Sequence, residues 1–367
     1  MTDFVGREDL VDDLARSLRR GDHLVLVGPR RIGKSTLLTW MEANPSPGPP
    51  QVHLLRVTVE GQRDVAGARR AIRARLEDVA PSAAADAAAR RVRVVGAGVE
   101  LADADADPWS TLADDLEDYR RGLGGEAVLA VALDEVPWWL EELERTAPGA
   151  ARAALASLRA LRDSGRWSHL RWIFTGSVGI AGRASSWGAS AELNDLQVQV
   201  VPPLDRAAAR HLLRLKTDNP HLSDDVCDAV SHLADRRPHW IEVIGARLPQ
   251  GGRAVAREDV ERASEALLTR HMRNQFDDEG NGHFHRRYTS DERSVVRAIF
   301  DVLSERGQVS PENGVVAAAM RASGQPPGSV RATISRLCDD FYLTEEGAGV
   351  RLSLPLFARW WTRWGEL

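Results

Sequence analysis

Hydrophobic positions along this chain follow two rhythms. Over residues 9–20 leucines recur at 10, 14 and 18, which puts them on one face of a helix. A short apolar run follows, Leu24-Val25-Leu26-Val27, then a glycine-rich turn and a second helix starting near Lys34. The proline-rich stretch 44–50 can be neither helix nor central strand and is read as a surface loop. Residues 53–59 alternate as a strand, and 64–91 read as helical, with a weakly amphipathic alanine patch at 83–89. Further apolar strands are predicted at 128–133, 170–175 and 196–201, with a helix over 151–162. Apolar strands separated by helices predict an α/β fold, its mostly parallel sheet covered on both faces.

The second half changes character. From 205 to 273 only helical periodicity remains, and the polar, glycine-containing stretch 274–287 reads as a linker. The last section predicts helices near 290–306, 311–321 and 328–337 and short strands around 341–344 and 350–354. A stripe of Leu356, Phe357, Trp360, Trp361 and Trp364 predicts a terminal helix docked on a core. No internal repeat is present. The domains expected are therefore a core (1–203), a helical segment (204–273), a linker (274–287) and a C-terminal domain (288–367).

Composition narrows the class. The 367 residues suffice for two or three domains, and 43% hydrophobic with 28% charged residues is globular composition. No apolar run nears the ~18 residues of a membrane span, and residues 1–5 lack a basic, then apolar, leader. Cys227 and Cys338 stand too far apart in sequence to define a disulfide framework or a metal site. The expectation is a soluble, cytoplasmic protein without membrane contact. Of 48 basic residues only Lys34 and Lys216 are lysine. In so arginine-biased a chain, a lysine marks a place where a compact ammonium does what a planar guanidinium cannot.

Lys34 lies in Gly28-Pro29-Arg30-Arg31-Ile32-Gly33-Lys34-Ser35, which matches G-x-x-x-x-G-K-[ST] at every fixed position, between a predicted strand and a predicted helix. Main-chain N–H groups of such a loop cradle phosphate oxygens, and the following helix start favours the anion. Gly28 and Gly33 allow close backbone approach, Lys34 reaches the β- and γ-phosphates, and the Ser35 hydroxyl completes a Mg²⁺ shell. The second constellation is an apolar strand ending in Asp134-Glu135. Asp134 is expected to hold Mg²⁺, directly or through water, and Glu135 to polarise a water for in-line attack. The plain alternative is that both acids cap the next helix. Thr175 and Ser177, at the end of the 170–175 strand, lie at the sheet edge where ligands bind and can serve the attacking water or a γ-phosphate oxygen. Trp138 and Trp139 are expected to pack against the sheet. Arg159, Arg162 and Arg166 can supply a charge to a neighbouring subunit, though a solvated surface role suits each better.

As a set these residues resemble the archaeal-type ATPase family, a STAND/AAA+-like branch of P-loop ATPases. Phe4-Val5-Gly6-Arg7-Glu8 is similar to the box that lies near adenine in such proteins, and Gly28–Leu38, Leu133–Glu135, Phe174–Ser177 and Pro202–Asp205 follow in the family's order. The resemblance covers about the first 270 residues. It implies a parallel five-stranded P-loop NTPase core of the catalytic-glutamate type followed by a helical lid. The nucleotide-binding residues it implies are Val5, Gly6 and Arg7 with Gly28, Pro29, Arg30, Arg31, Ile32, Gly33, Lys34, Ser35 and Thr36. The lid motif Gly-x-Pro of STAND proteins appears here as Arg236-Arg237-Pro238, with arginine in the glycine position.

The C-terminal section resembles a winged helix, with 328–337 as its third helix. DNA-binding versions lay that helix in the major groove, and here it offers Arg331, Thr333 and Arg336. Against this, residues 286–367 hold 11 Arg and 10 acids, a net of +1, and the whole chain carries −5. That is a poor electrostatic footprint for a phosphate-backbone binder. His271, His283 and His285 lack partners at ligand spacing, and Asp103, Asp105 and Asp107 lack the glycine and terminal glutamate of a calcium loop. The expectation is an ATP- and Mg²⁺-dependent switch acting on a protein partner or its own oligomer. A DNA-binding ATPase and a non-hydrolysing ATP-stabilised scaffold stand as alternatives.

Overall fold

A computed structural model describes residues 4–80, 92–95, 98–101, 108–124, 126–176, 179–269, 288–306 and 309–365. Ser177, the histidines at 271, 283 and 285, the acids at 103–107 and the 274–287 stretch lie outside them.

The chain opens with α1 (Glu8–Arg20), whose Val11, Leu14, Ala15 and Leu18 are buried. Next come β1 (His23–Val27), α2 (Lys34–Ala43), β2 (Val52–Thr58) and α3 (Val65–Val79). A hairpin of β3 (Val92–Val95) and β4 (Gly98–Leu101) leads to α4 (Pro108–Leu123), β5 (Val128–Asp134), α5 (Val136–Thr146) and α6 (Ala150–Asp163). The core ends with β6 (Leu170–Gly176), α7 (Ile180–Ser186) and β7 (Leu196–Val200).

Five of these strands form one parallel sheet in the order β2-β5-β6-β1-β7. Strand β6 thus lies between the strand that enters the phosphate loop and the strand that ends in Asp134. This is the five-stranded, catalytic-glutamate arrangement expected from the sequence. Alternate residues of each strand face opposite sides. Val25, Leu129, Val131, Leu133, Trp172 and Phe174 join a cluster on one face, and Leu24, Leu26, Val128, Ala130, Ala132 and Ile173 join one on the other. Two apolar faces explain why these strands read as continuous hydrophobic runs. Trp139 is fully buried in the first cluster, edge-on to Trp109.

Beyond Leu204 come α8 (Arg206–Lys216), α9 (Asp224–Leu233), α10 (Pro238–Gly245) and α11 (Arg257–Leu267). The last section holds α12 (Ser290–Arg306), β8 (Ser310–Pro311), α13 (Glu312–Ser323), α14 (Pro327–Asp339), the antiparallel pair β9 (Leu343–Glu346) and β10 (Gly349–Leu352), and α15 (Pro355–Trp364). Although separate in sequence, the two helical sections share one apolar cluster running from Leu204 through Trp240 to Phe357, Trp360 and Trp361. The terminal stripe docks on this core as its spacing predicts.

The arginines of α14 are engaged within the chain, and the expectation for Arg162 is corrected. Arg331 is engaged by Glu312 at 2.7 Å and by Asn313, while Arg336 pairs with Glu292 at 2.5 Å and lies over the Tyr288 ring. Thr333 is buried and donates to the Ser329 carbonyl. The polar groups of α14 therefore hold the section together instead of standing ready for bases. Arg162, read as a solvated side chain, is buried and held by Asp195 at 2.5 Å, because α6 presses it against the start of the sheet. Arg159 and Arg166 are half-exposed or exposed and pair with Asp163 and Asp114. Among the described residues no helix is long and apolar enough to cross a membrane.

Candidate functional site

The phosphate loop links β1 to α2 and needs unusual backbone at two points. Gly33 takes φ +97°, a left-handed conformation that costs glycine little and lets α2 begin at Lys34. Arg31 also stands left-handed, at φ +61°, and is held there from outside the loop. Its Nη1 lies 3.0 Å from His239 Nε2, and its guanidinium packs over the Trp240 ring. Helix α10 thus grips the loop.

Lys34 is 5% exposed, and its ammonium donates to the Gly28 carbonyl at 2.8 Å and the Pro29 carbonyl at 3.2 Å. Burial lowers its pKa to about 8, against the raising influence of Glu135 and Asp134, with Arg30 and Arg237 pushing further down. A buried ammonium between cations and acids is poised to gain from a polyanion.

Strand β5 delivers the two acids. Asp134 is 2% exposed and engaged at both oxygens: Oδ1 accepts from Thr175 Oγ1, and Oδ2 accepts from Arg56 Nη2 at 2.7 Å and Nε at 3.1 Å. Burial raises its pKa, but hydrogen bonds from Thr175 and Arg56, the charge of Arg56 and the Ser35 hydroxyl outweigh that and hold it below the usual carboxylate range. Glu135 turns out of the strand at φ +63°. A left-handed glutamate costs about 1–3 kcal/mol, and here it brings the side chain into the cavity that Lys34 lines. Burial raises the Glu135 pKa, while Lys34 opposes the shift.

That cavity, about 380 Å³, is lined by Phe4, Val5, Arg7, Arg30, Arg31, Gly33, Lys34, Ser35, Thr36 and Glu135 from the core, and by Leu204, Leu212, Pro238, His239 and Glu242 from the helices beyond. Most residues expected at a nucleotide converge here. Ile32 is buried beneath the loop, and its carbonyl accepts from Arg7 Nη2 at 2.6 Å. Gly6 stands behind the wall, so close to α8 that a Cβ there would lie 2.2 Å from the Ala208 Cβ. Gly28 approaches the Val201 carbonyl closely, a Cβ there falling at 3.0 Å. Asp134 and Thr175 also stand behind the lining. The Thr175 hydroxyl donates to the buried Asp134 carboxylate, and its oxygen lies 3.5 Å from the Glu135 amide.

The residues present fit a phosphate and a divalent cation. Arg7 is 7% exposed, and its Nη1 is buried without a hydrogen-bond partner among the described residues. Among the described residues no carboxylate pairs with it, and burial lowers its pKa to about 10. An anion reaching that nitrogen relieves an unmade bond. Ser35 and Asp134 are hard oxygen donors joined by a hydrogen bond. One carboxylate and one hydroxyl suit an ion that takes its remaining ligands from phosphate and water. Among the described residues no cluster of three His, Cys, Asp or Glu side chains offers an all-protein metal site.

Sequence reasoning missed Arg56. Its signal was a charge inside an otherwise largely apolar strand, opposite Ala132 in the sheet. It also missed the contact behind the loop. Arg236 takes a left-handed backbone, φ +52°, a conformation that favours glycine, and Pro238 approaches Gly33. Arg237 is buried, pairs with Asp235 at 3.5 Å and donates to Ser353 Oγ at 2.8 Å. A wider cleft of about 600 Å³ between α9 and the C-terminal section is lined by charges that largely pair with each other, such as Arg206 with Asp228 and Arg351 with Glu346.

No protein-family model and no curated protein matches the chain. Among solved structures, the Walker-type ATPase PABY2304 of Pyrococcus abyssi is similar over 98% of this chain and 96% of its own, at 17% identity and a TM-score of 0.68. The Aeropyrum pernix ORC2 protein, solved as ADPNP–ADP complexes, is similar over 98% of this chain and 94% of its own, at 12% identity and a TM-score of 0.55. These likenesses, together with the strand order, identify the fold as that of a P-loop NTPase with an α/β core.

Proposed function

We propose that this chain is an ATP-binding and ATP-hydrolysing switch. The observation that carries the reading is the convergence of Lys34, Ser35, the unpartnered Arg7 nitrogen and Glu135 on one cavity, with Asp134 behind them. That the similar folds include a Walker-type ATPase and a protein solved with ADPNP and ADP supports an adenine nucleotide. In this reading residues 28–36 hold the phosphates, and Val5, Gly6 and Arg7 bound the base side with Leu204 and Leu212. Ser35 and Asp134 hold Mg²⁺, which supplies charge neutralisation for phosphoryl transfer. Glu135, its pKa raised by burial, accepts a proton from the attacking water. Thr175 positions Asp134, and Ser177 is proposed at the same strand end.

The nucleotide state is read out through the lid and the C-terminal section. The proposed units are core 1–203, lid 204–273, linker 274–287 and winged helix 288–367. Arg31 meets His239 and Trp240 on one side of Arg237, and Ser353 meets it on the other. Occupancy of the loop therefore bears on the section that we propose contacts a protein partner or a second copy, within the cytoplasm. The internal pairing of Arg331 and Arg336 disfavours duplex DNA as that partner.

Thermal melting with and without Mg-ATP tests the site. Ligand at ~100 times its Kd stabilises by about 2.7 kcal/mol. Lys34→Ala is expected to abolish that shift, and an unchanged response in the variant would overturn the assignment.

A further inference from the structure

Arg56 has no part in the reading above, yet it brings the positive charge that meets Asp134. Two of its nitrogens meet Oδ2 of a carboxylate that is 2% exposed, while Thr175 occupies Oδ1. A carboxylate offers about four acceptor positions, and two donors from Arg56, one from Thr175 and the Ser35 hydroxyl account for them. The charge of Asp134 is thus already neutralised from within the protein. Arg56 itself lies at the border of solvent. Its side chain is 28% exposed, its Nη1 reaches Thr39 Oγ1 on α2 at 3.3 Å, and its backbone amide donates to Glu42 at 3.0 Å. The strand holds its main chain, while the partly exposed guanidinium bridges Asp134 and α2.

We propose that Arg56 is an internal counter-cation that competes with the divalent metal for Asp134, and so sets how much Mg²⁺ is needed before the nucleotide is fully held. This rests on the nucleotide reading above. A guanidinium and a divalent cation repel each other, and a neutral side chain at position 56 removes that repulsion. At protein-edge dielectric this amounts to about a tenfold change in metal affinity. The alternative role, in which Arg56 orients Asp134 toward the metal, predicts the opposite sign.

The test uses the full chain with ADPNP, which avoids turnover, and reads the Mg²⁺ concentration at half-maximal thermal shift. Arg56→Gln is expected to lower that midpoint about tenfold, while any effect of the lost charge on ADPNP in EDTA runs the other way, toward weaker binding. Arg56→Lys keeps the charge but loses the two-nitrogen fork, and is expected to lower it about threefold. If Arg56→Gln does not fold, the lysine variant decides. An unmoved or raised midpoint in the folded variant overturns the proposal and leaves the nucleotide site intact. Absence of any ADPNP response in the unsubstituted protein overturns the nucleotide reading and this proposal together.

Discussion

Arg237 Nη2 donates a 2.8 Å hydrogen bond to Ser353 Oγ, and Ser353 in turn donates to the Phe341 carbonyl at 2.5 Å. The residue that introduces helix α10 is therefore tied to the end of the C-terminal strand pair. Arg237 is deeply buried, and burial lowers its pKa, with Asp235 opposing. Arg237→Ala is expected to destabilise the protein by about 2 kcal/mol, since it removes a buried donor from Ser353 and leaves Asp235 with Arg351 alone. Urea unfolding reads the loss. Protease cleavage within the C-terminal section should accelerate while the Mg-ATP shift of the remaining folded protein persists.

Lys34 gives nucleotide binding a defined pH dependence. Its pKa is about 8 in the folded protein against 10.5 unfolded, so between those values the unfolded chain holds more protons. Stability without ligand is expected to rise through that window from this group alone. Binding a polyphosphate requires the ammonium, so above pH 8 it takes up a proton. Calorimetry at pH 9 in two buffers of different ionisation enthalpy should report uptake of a proton, with Kd weakening by up to tenfold per pH unit. Equal heats in both buffers would refute it.

Glu135→Gln keeps the shape of the side chain and removes its basicity. Hydrolysis is expected to fall at least ~100-fold while ATP affinity is retained or improved. Radiolabelled nucleotide recovered with the variant should be mostly ATP. Undiminished turnover would remove Glu135 from the chemistry.

His23 makes the fold sensitive to acid. Its Nδ1 accepts from the Trp172 amide at 3.1 Å, and burial, with Arg162 and Arg171 nearby, lowers its pKa from 6.5 to about 4. This contribution is complete above pH 6.5 and is lost as pH falls toward 4, a span of up to about 3 kcal/mol. His23→Asn, which keeps an acceptor, should flatten the stability profile between those limits in urea titrations.

Local chemistry made much of this molecule legible. The seven residues of β5 are apolar up to Asp134, and no other reading accommodates them. The phosphate loop announced itself by residue type and spacing. What escaped depends on partners distant in sequence. Helix α4 is a different case: its buried Trp109, Leu112, Ala113 and Leu116 recur at helical spacing, so the residues announce it and sequence reasoning missed it. Arg56 and Thr175 are separated from Asp134 by 78 and 41 positions, and only the parallel register brings them to it. Arg162, one arginine among 46, was indistinguishable from its neighbours until α6 pressed it against the sheet.

The closeness of Gly6 to Ala208 reaches beyond this one chain. A single methyl at position 6 collides with helix α8, so the sheet section and the helices beyond it share one steric allowance there. A descendant that gains a side chain at position 6 must displace α8. Drift at that position is therefore tied to the seat of the helix.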